Sequence, residues 1–522
     1  MERWASPPMN RRQTAMFTPT LDAVVSQDHP VRLFDEILCQ MDWSAWESHY
    51  VLVAGQPPIH PRVMAGVILY GLSRGLRSSR ALEWACLNSV DFLWLAEGRD
   101  IDHSTFCGFR TRFREELKDL FRQMGRLAMA MGLIRLNQVA LDGTKVQANS
   151  SRHGTATAGT LEQRLAELDA QVEGMLAAAE EADRKEDGLF GGQASPNRLP
   201  RELSDLRRRQ ERLRVALAAA RQKQQERGEC EESKRPKVPV ADPDSTIQPN
   251  KEGGYAPNYV PMAAVDGQKG MIVEADVLPD SDEGRVTVET VDRVEEDFGQ
   301  KPLQLLADGA HGSGTNLAEL QERGVEGFIP LGQREDPANN PARRSDPTRP
   351  VAADQRKKLP RNTRTKKWDR SAFVYDAGKD CYWCPMGRRL DFAGMQDKHR
   401  DRGAGVYRLY RGTGCADCPL AGDCVAGRRE FRTVSRDQHE PLREAMDAKM
   451  KSAEGRKTYA RRKWIAETPF AVLKTVLRVR QFLLRGLEKV KIEWLWSCTA
   501  FNLRKLTGAV GAMRIRLAAL AA

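Results

Sequence analysis

No run of apolar residues in the chain approaches the roughly 18 that a membrane-spanning helix needs. Hydrophobic residues still make up 41% of the 522, so the expectation is a packed soluble core with no membrane partner. The opening Met1-Glu2-Arg3-Trp4 has no basic stretch leading into an apolar one, the mark of a secretion signal, and the expected compartment is the cytoplasm. Without such a signal, the ten cysteines argue against a disulfide framework. Acidic residues are scarce where basic ones are dense. Lys451 to Ala522 holds sixteen Lys and Arg against four Asp and Glu, and Arg356 to Arg370 holds eight against one. The last seventh of the chain therefore carries the whole formal excess of +11. Positive charge so concentrated suits a polyanion, because each phosphate contact releases condensed counterions; an equally common use is a solvated face.

Length allows three or four domain-sized units. Residues 1–135 read as helical. Val63, Met64, Val67 and Ile68 follow Pro61, and Gly75 breaks the pattern. Ser78 or Ser79 can cap a helix from Arg80 to Asn88, and Asp102 or Ser104 can cap another that ends near Leu117. With Arg74, Arg77, Arg80, Arg110, Arg112 and Arg114, these short helices suggest a helix-turn-helix-like DNA-binding unit, with Arg77 and Arg80 as DNA contacts. The competing reading is a plain helical bundle with a polar face. Residues 136–157 turn to strand character around Asp142. Over 158–233, Leu161, Leu165, Leu168, Val172 and Met175 step by four and three, and Leu203, Leu206, Leu213 and Leu217 keep that frame. This predicts an antiparallel coiled-coil arm closed by the Gly188 to Gly192 loop.

Residues 234–332 open on a loop over Lys234 to Gly254 and then resume strands. A hairpin about Asp266-Gly267 is expected, then a helix over Glu283 to Phe298, a buried strand over Leu303 to Ala307, a helix over Asn316 to Arg323 and a strand over Gly327 to Leu331. That order is the order of an RNase H-like core. Residues 333–445, rich in Pro, Arg and Cys, interrupt it as a second insertion, and helices return over 446–522. The fold class expected is α/β: a mixed sheet flanked by helices, an all-α N-terminal domain, a coiled-coil insertion and a cysteine-rich one. Cys39, Cys86, Cys107 and Cys498 sit in apolar helical patterns and are expected as small core residues; Cys230 lies in a polar stretch.

Asp142 lies within a strand (Val139-Ala140-Leu141-Asp142-Gly143-Thr144) and Asp308 ends another (Leu305-Leu306-Ala307-Asp308-Gly309). A buried charge is costly unless it binds something, although Asp-Gly at a strand end is also an ordinary turn. A third acid, Glu467, falls in the segment Tyr459 to Lys474 and shares a helix face with Lys474 at 100° per residue. Pro469 is expected to bend that helix, with Thr468 capping a new one. Three carboxylates suit hard cations. Phosphodiester chemistry uses two such ions about 3.5–4 Å apart.

The Tyr459, Arg462, Glu467 and Lys474 segment resembles the Tyr-x2-Arg-x3-Glu-x6-Lys signature of insertion-sequence DDE transposases of the IS-four and IS-five superfamily. His60 to Phe113, with Leu69-Tyr70-Gly71, Arg77-Ser78-Ser79-Arg80 and Asp102-His103-Ser104-Thr105, resembles their N-terminal domain. Asp142-Gly143-Thr144-Lys145 and Ala307-Asp308-Gly309 resemble the blocks of the first two aspartates. With the cysteine-rich insertion, the chain is most similar to the IS-eleven-eighty-two family over about residues 15–510. Relatives often read Tyr-Asn-x-Gln before the second strand, where this chain has Pro257-Asn258-Tyr259-Val260-Pro261-Met262. The resemblance implies an RNase H-like core that uses Mg²⁺ or Mn²⁺, two ions, to cut DNA at inverted-repeat ends and join them to target DNA. Asp142, Asp308 and Glu467 would then be metal ligands, and Tyr459, Arg462 and Lys474 would grip phosphates. A homodimer assembled on the ends is expected. A domesticated DNA-binding protein or nuclease, and a scaffold built on the coiled-coil arm, are the competing readings.

Cys381-x2-Cys384 and Cys415-x2-Cys418, followed by Cys424, offer five thiols to a site that takes four. Structural Zn²⁺ is expected there. The family pattern favours Cys384, Cys415, Cys418 and Cys424, whereas the symmetric spacing favours Cys381 over Cys424; unmetallated thiols are the alternative.

Overall fold

The chain folds as two units, one of Met1–Leu305 with Arg461–Ala522 and the other of Leu306–Ala460. The computed structural model describes residues 20–50, 57–190, 201–228, 235–250, 253–331, 339–400, 403–425 and 430–521. Cys230 and the second half of the Gly-rich loop lie outside the described residues. No helix among them is long and apolar enough to cross a membrane.

The first unit opens with α1 (Leu21–Val24), α2 (Pro30–Cys39), α3 (Ser44–Glu47), α4 (Pro61–Ser73), α5 (Ser79–Asn88), α6 (Val90–Leu95), α7 (His103–Arg112) and α8 (Arg114–Ala130). Their starts follow local chemistry. The Ser78 hydroxyl accepts from the Ala81 N–H at 3.1 Å and the Asp102 carboxylate from the Ser104 N–H at 2.7 Å, each satisfying an N–H that the first turn leaves open. The helix expected to run to Leu117 instead stops at Arg112. Phe113 leaves helical geometry (φ −112°, ψ 71°) and places its ring 5.2 Å from Trp46 and 5.0 Å from Phe109, so aromatic packing overrides helix continuation. Of the four cysteines expected in the core, Cys86 and Cys498 are buried, but Cys39 and Cys107 are exposed.

Strand β1 (Gln138–Gly143) and the short β2 (Val146–Gln147) follow, then β3 (Thr155–Ala156) and two long helices, α9 (Ala158–Phe190) and α10 (Arg201–Arg227). Leu161, Leu168, Leu213 and Leu217 meet in one apolar cluster, joined by Leu165 and Leu206, as the heptad frame requires. Strands β4 (Val238–Pro239) and β5 (Thr246–Pro249) fall in a stretch expected as loop, and β4 pairs with β3 at the arm's base. Strand β6 (Tyr255–Asp266) pairs antiparallel with β1, β2, β5 and β7 (Ile272–Leu278). The β6–β7 connection is longer than the expected two-residue turn. Asp266 accepts the Gln268 N–H on Oδ1 (2.8 Å) and the Leu136 N–H on Oδ2 (2.8 Å), and Gly270 takes a left-handed φ of 67°. A 3-10 turn over Glu283–Val286 leads into α11 (Thr287–Phe298), and β8 (Gln304–Leu306) lies beside β1. Within this unit the order is β7-β6-β1-β8.

In the second unit, the chain leaving β8 continues through α12 (Gly314–Glu322) and β9 (Glu326–Phe328). A five-stranded antiparallel meander follows: β10 (Val374–Asp376), β11 (Cys381–Trp383), β12 (Arg389–Arg400), β13 (Gly403–Gly412) and β14 (Thr433–Asp437). The sequence reading gave this region no strands. The meander has a small core of its own around Trp368, Phe373, Tyr382, Leu390 and Tyr410. Helix α13 (Ala421–Cys424) interrupts it, and α14 (Glu440–Lys451) and α15 (Ala453–Thr475) follow. From Arg461 the chain belongs to the first unit again, and α16 (Leu487–Ala521) closes it. Trp494 Nε1 donates to the Met262 carbonyl (3.0 Å), Asn502 exchanges two hydrogen bonds with the Ile272 backbone (3.0 and 2.7 Å), and Trp496 Nε1 donates to the Arg110 carbonyl (3.1 Å). One long helix thus fastens the N-terminal helices to the sheet.

Under that helix, Arg293 of α11 donates to Glu274 at 3.0 Å and to Asp276 at 3.2 Å on β7, and Lys491 of α16 pairs with Asp276 at 2.9 Å. Burial pushes the Glu274 carboxyl up to about 7 against the pull of Arg293. A carboxyl whose folded pKa lies above its unfolded one stabilises the native state fully below the unfolded value of 4.5. It loses that contribution as pH rises through the folded value. Thermal stability should therefore decline from about pH 4.5 to pH 7. Glu274→Gln should remove roughly 3 kcal/mol of that pH dependence; melting curves at several pH values give the slope directly, and an unchanged slope would assign the decline to other groups.

Candidate functional site

Asp142 is the fifth residue of β1, its side chain 19% exposed. Its Oδ1 accepts from Arg462 Nη2 at 2.8 Å and from the Gly143 N–H at 3.0 Å. Further along α15, Lys474 Nζ donates to Thr144 Oγ1 at 2.5 Å and to the Lys145 carbonyl at 3.1 Å. Two cations of one helix therefore hold the segment that leaves β1. Glu467 sits between them on α15, exposed, and within about 20° of Lys474 around the helix axis.

Two expectations about this helix need correction. The helix does not restart at Pro469; α15 runs through it. Pro469 brings no N–H to the helical ladder, while the Thr468 hydroxyl donates to the Trp464 carbonyl at 2.7 Å. The signature spacing is also not met, since four residues rather than three separate Arg462 from Glu467. Five steps of 100° put the two side chains about 140° apart, so they leave different faces. Counted back from Glu467, the three-residue gap falls on the exposed Lys463.

An acid that the sequence reading passed over lies beside Asp142. A Cβ built on Gly143 would come within 2.7 Å of Met262 Sδ and 2.8 Å of the Glu283 carboxylate, so the absence of a side chain at 143 lets that carboxylate lie against the backbone. Glu283 opens the 3-10 turn after β7. In sequence, Ser281-Asp282-Glu283-Gly284 is indistinguishable from any polar turn, and only the fold brings it to β1.

Asp308 and Tyr459 belong to the second unit. Asp308 caps a 3-10 turn: its Oδ1 accepts from the Ala310 N–H at 2.9 Å and lies 3.9 Å from Nε2 of the fully buried His311. Gly309 again permits close approach, since a Cβ there would meet the Pro330 carbonyl oxygen at 2.7 Å. Tyr459 is half-buried near the start of α15.

The N-terminal arginines divide by what they touch. Arg77 is engaged inside the protein: Nη1 donates to the Arg478 carbonyl (2.8 Å), and Nη2 to the Gln481 carbonyl (2.6 Å) and the Glu493 carboxylate (2.7 Å). Arg110 donates to the Arg77 carbonyl at 2.5 Å, and Arg114 pairs with Glu488. Arg74 and Arg80 are exposed.

In the second unit, Cys384, Cys415, Cys418 and Cys424 line one small cavity with Trp368, Leu390 and Arg432. Cys381, on β11, does not line it; burial pushes its thiol up, and the charges that act on it are those of Arg389, Asp376, Asp391 and Lys379. Cys384 Sγ accepts the Met386 and Arg388 N–H groups, both at 3.3 Å, an arrangement that favours a thiolate. Burial pushes the Cys424 thiol up to about 12 and raises Cys384 as well. Among the described residues, no three of these sulfurs lie within 4.8 Å of one another, so a shared ion would have to draw them together.

Residues 383–507 match the family model of a Transposase DDE domain, and residues 19–112 match that of a Transposase domain (DUF772). The first stretch contains the four cavity cysteines, Glu467 and Lys474, and the second contains Arg77 and Arg80. Asp142 and Asp308 lie outside both. No curated protein and no solved structure matches the chain. Both matches are to transposase domains, with which the mixed sheet and its flanking helices are compatible.

The close approach at Gly143 is directly testable. Gly143→Ala should lower stability by about 1–3 kcal/mol through overpacking against Met262 and Glu283. Glu283→Ala, made together with it, should recover part of that loss in denaturant titrations; strict additivity of the two changes would show that they do not touch.

Proposed function

We propose that this protein is a DDE transposase that binds the inverted-repeat ends of its own element, cuts DNA there in a Mg²⁺-dependent reaction and joins the freed ends to target DNA. One observation carries the reading: Arg462, inside the stretch that matches a transposase DDE domain, holds the Asp142 carboxylate, which lies outside that stretch. The matched helix and the acid at the end of the central strand are thus parts of one site. The order β7-β6-β1-β8, with β6 antiparallel to both neighbours, supports an RNase H-like core, and the caps and turns of α4 to α7 support a helix-turn-helix-like unit before it.

Asp142, Asp308 and Glu467 offer the hard carboxylate oxygens that Mg²⁺ or Mn²⁺ prefers, and two such ions supply an activated nucleophile and a stabilised leaving oxygen. The remaining roles fall to the chain. Arg462 orients Asp142 through a charge-assisted hydrogen bond. Lys474 ties the end of α15 to Thr144, which fixes the face on which Glu467 stands. We assign phosphate contacts to the exposed Arg80 and Lys463 and to Tyr459. A homodimer, one chain per element end, is the assembly that paired cutting requires. Cys384, Cys415, Cys418 and Cys424 are assigned to structural Zn²⁺, and their common cavity together with the N–H donors on Cys384 supports this set over one containing Cys381.

Changing Asp142, Asp308 or Glu467 singly to Ala should abolish Mg²⁺-dependent cleavage of end DNA while leaving end binding in place. Near-normal cleavage by Asp308→Ala would remove it from the site. Protein purified without chelator should carry about one Zn²⁺ per chain. Cys424→Ser and Cys418→Ser should lose the metal and destabilise the meander, whereas Cys381→Ser should keep both; loss of zinc from Cys381→Ser alone would reverse the assignment.

A further inference from the structure

The segment between α15 and α16, residues 476–486, has no regular secondary structure of its own beyond a bridge at Gln481, yet it is fastened along its whole length. Gln147 of β2 donates its N–H to the Arg480 carbonyl (3.2 Å) and accepts the Phe482 N–H (2.8 Å). Phe482 is buried, its ring edge-on to Tyr259 at 5.9 Å. Glu493 accepts the Leu483 and Leu484 N–H groups at 2.9 Å. From the N-terminal helices, the Arg77 fork takes the Arg478 and Gln481 carbonyls. Gly75 leaves room for the loop, since a Cβ there would lie 2.9 Å from the Val476 carbonyl oxygen.

What this framework presents is charge. Arg478 and Arg480 are exposed, and their guanidinium groups make no hydrogen bond or ion pair with the described residues. Arg478 is also held at φ 59°, a left-handed conformation that costs a non-glycine residue about 1–2 kcal/mol and persists only where the surroundings impose it. A merely solvated loop needs neither the imposed backbone nor the fork beneath it. The same loop is laddered to β2, which follows the strand that carries Asp142.

We propose that residues 476–486 form a preorganised phosphate clamp, in which Arg478 and Arg480 contact the backbone of duplex DNA and Arg77 acts as a positioning residue that holds the loop without touching DNA. The proposal rests on the DNA-processing reading above. Guanidinium groups recognise phosphate oxygens independently of sequence, and a loop fixed before binding loses little entropy on contact.

The test uses the full chain and an arbitrary-sequence DNA duplex, with affinity read by fluorescence anisotropy between 50 and 200 mM salt. Arg478→Gln with Arg480→Gln should bind more weakly and flatten the salt slope by about two contacts, so that the affinity lost over this salt range shrinks by about tenfold. Arg77→Ala should shift the slope the same way and add little when combined with that double change. Arg77→Lys keeps the charge but cannot fork across two carbonyls. It should resemble Arg77→Ala, whereas a direct phosphate contact would be rescued by Lys. An unchanged slope in a double variant that melts like the wild type overturns the clamp, and wild-type binding by Arg77→Lys overturns the positioning role. Wild-type protein that binds no duplex at all would overturn the functional reading itself.

Discussion

A carboxylate at the end of a central strand has to be compensated, and here the compensation comes from a helix more than three hundred residues away in the chain. The Asp142–Arg462 pair is mostly shielded on both sides, 19% and 17% exposed, which makes breaking one partner more damaging than losing a surface pair. Once Arg462 is fixed on Asp142 and Lys474 on Thr144, the rotation of α15 about its axis is set, and with it the face that carries Glu467. The glycine at 143 belongs to the same constraint. It keeps the backbone bare where Glu283 and Met262 close in, so the site gathers carboxylates at one strand end without a side chain to separate them.

The second unit solves a different problem. Its meander has few large apolar residues and relies on cations laid over rings and on bidentate pairs. Arg436 lies 3.9 Å above the Tyr375 ring and bonds both oxygens of Glu444, and Arg370 reaches Glu440 at 2.8 Å. A sheet held this way has a thin core, and a structural ion bound among Cys384, Cys415, Cys418 and Cys424 would supply the stability that apolar burial does not.

Much of this was legible in the residues. Helix caps at Ser78 and Asp102, the heptad frame of α9 and α10 and the strand around Asp142 depend on neighbours within a few positions, where local chemistry decides. The misses share a cause. The meander of β10 to β14 hides because its first two strands are three residues long and the others mix charged, aromatic and small residues with few aliphatic ones, so no apolar period-two signal stands out. Pro469 was expected to end a helix, but tertiary packing outweighs the single hydrogen bond it removes. Glu283 could not be read from sequence at all, since its meaning lies in the strand end it meets. Which of the clustered cysteines share a cavity also needed three dimensions: β11 carries Cys381 at one end and leads to Cys384 beyond the other, and Cys384 lines the cavity with Cys415, Cys418 and Cys424 whereas Cys381 does not.

The same lesson governs the positive charge. Counting basic residues treats Arg77, Arg110, Arg462 and Arg436 as equal to Arg478 and Arg480, although the guanidinium groups of the first four are bonded within the protein and those of the last two bond none of the described residues. Even in the block from Arg356 to Arg370, Arg356, Arg361, Lys367 and Arg370 each hold a carbonyl or a carboxylate. Lys357, Lys358, Arg364 and Lys366 remain exposed. An arginine can serve DNA in two ways, by meeting a phosphate or by shaping the backbone that presents another arginine. On the clamp proposal, Arg77 illustrates why the second use is invisible to composition. Its charge is largely answered by Glu493, so it adds little to the field outside, yet its fork dictates where Arg478 stands. The electrostatic footprint of the chain is therefore set by exposed cations on constrained backbone, and the net charge of +11 only bounds it.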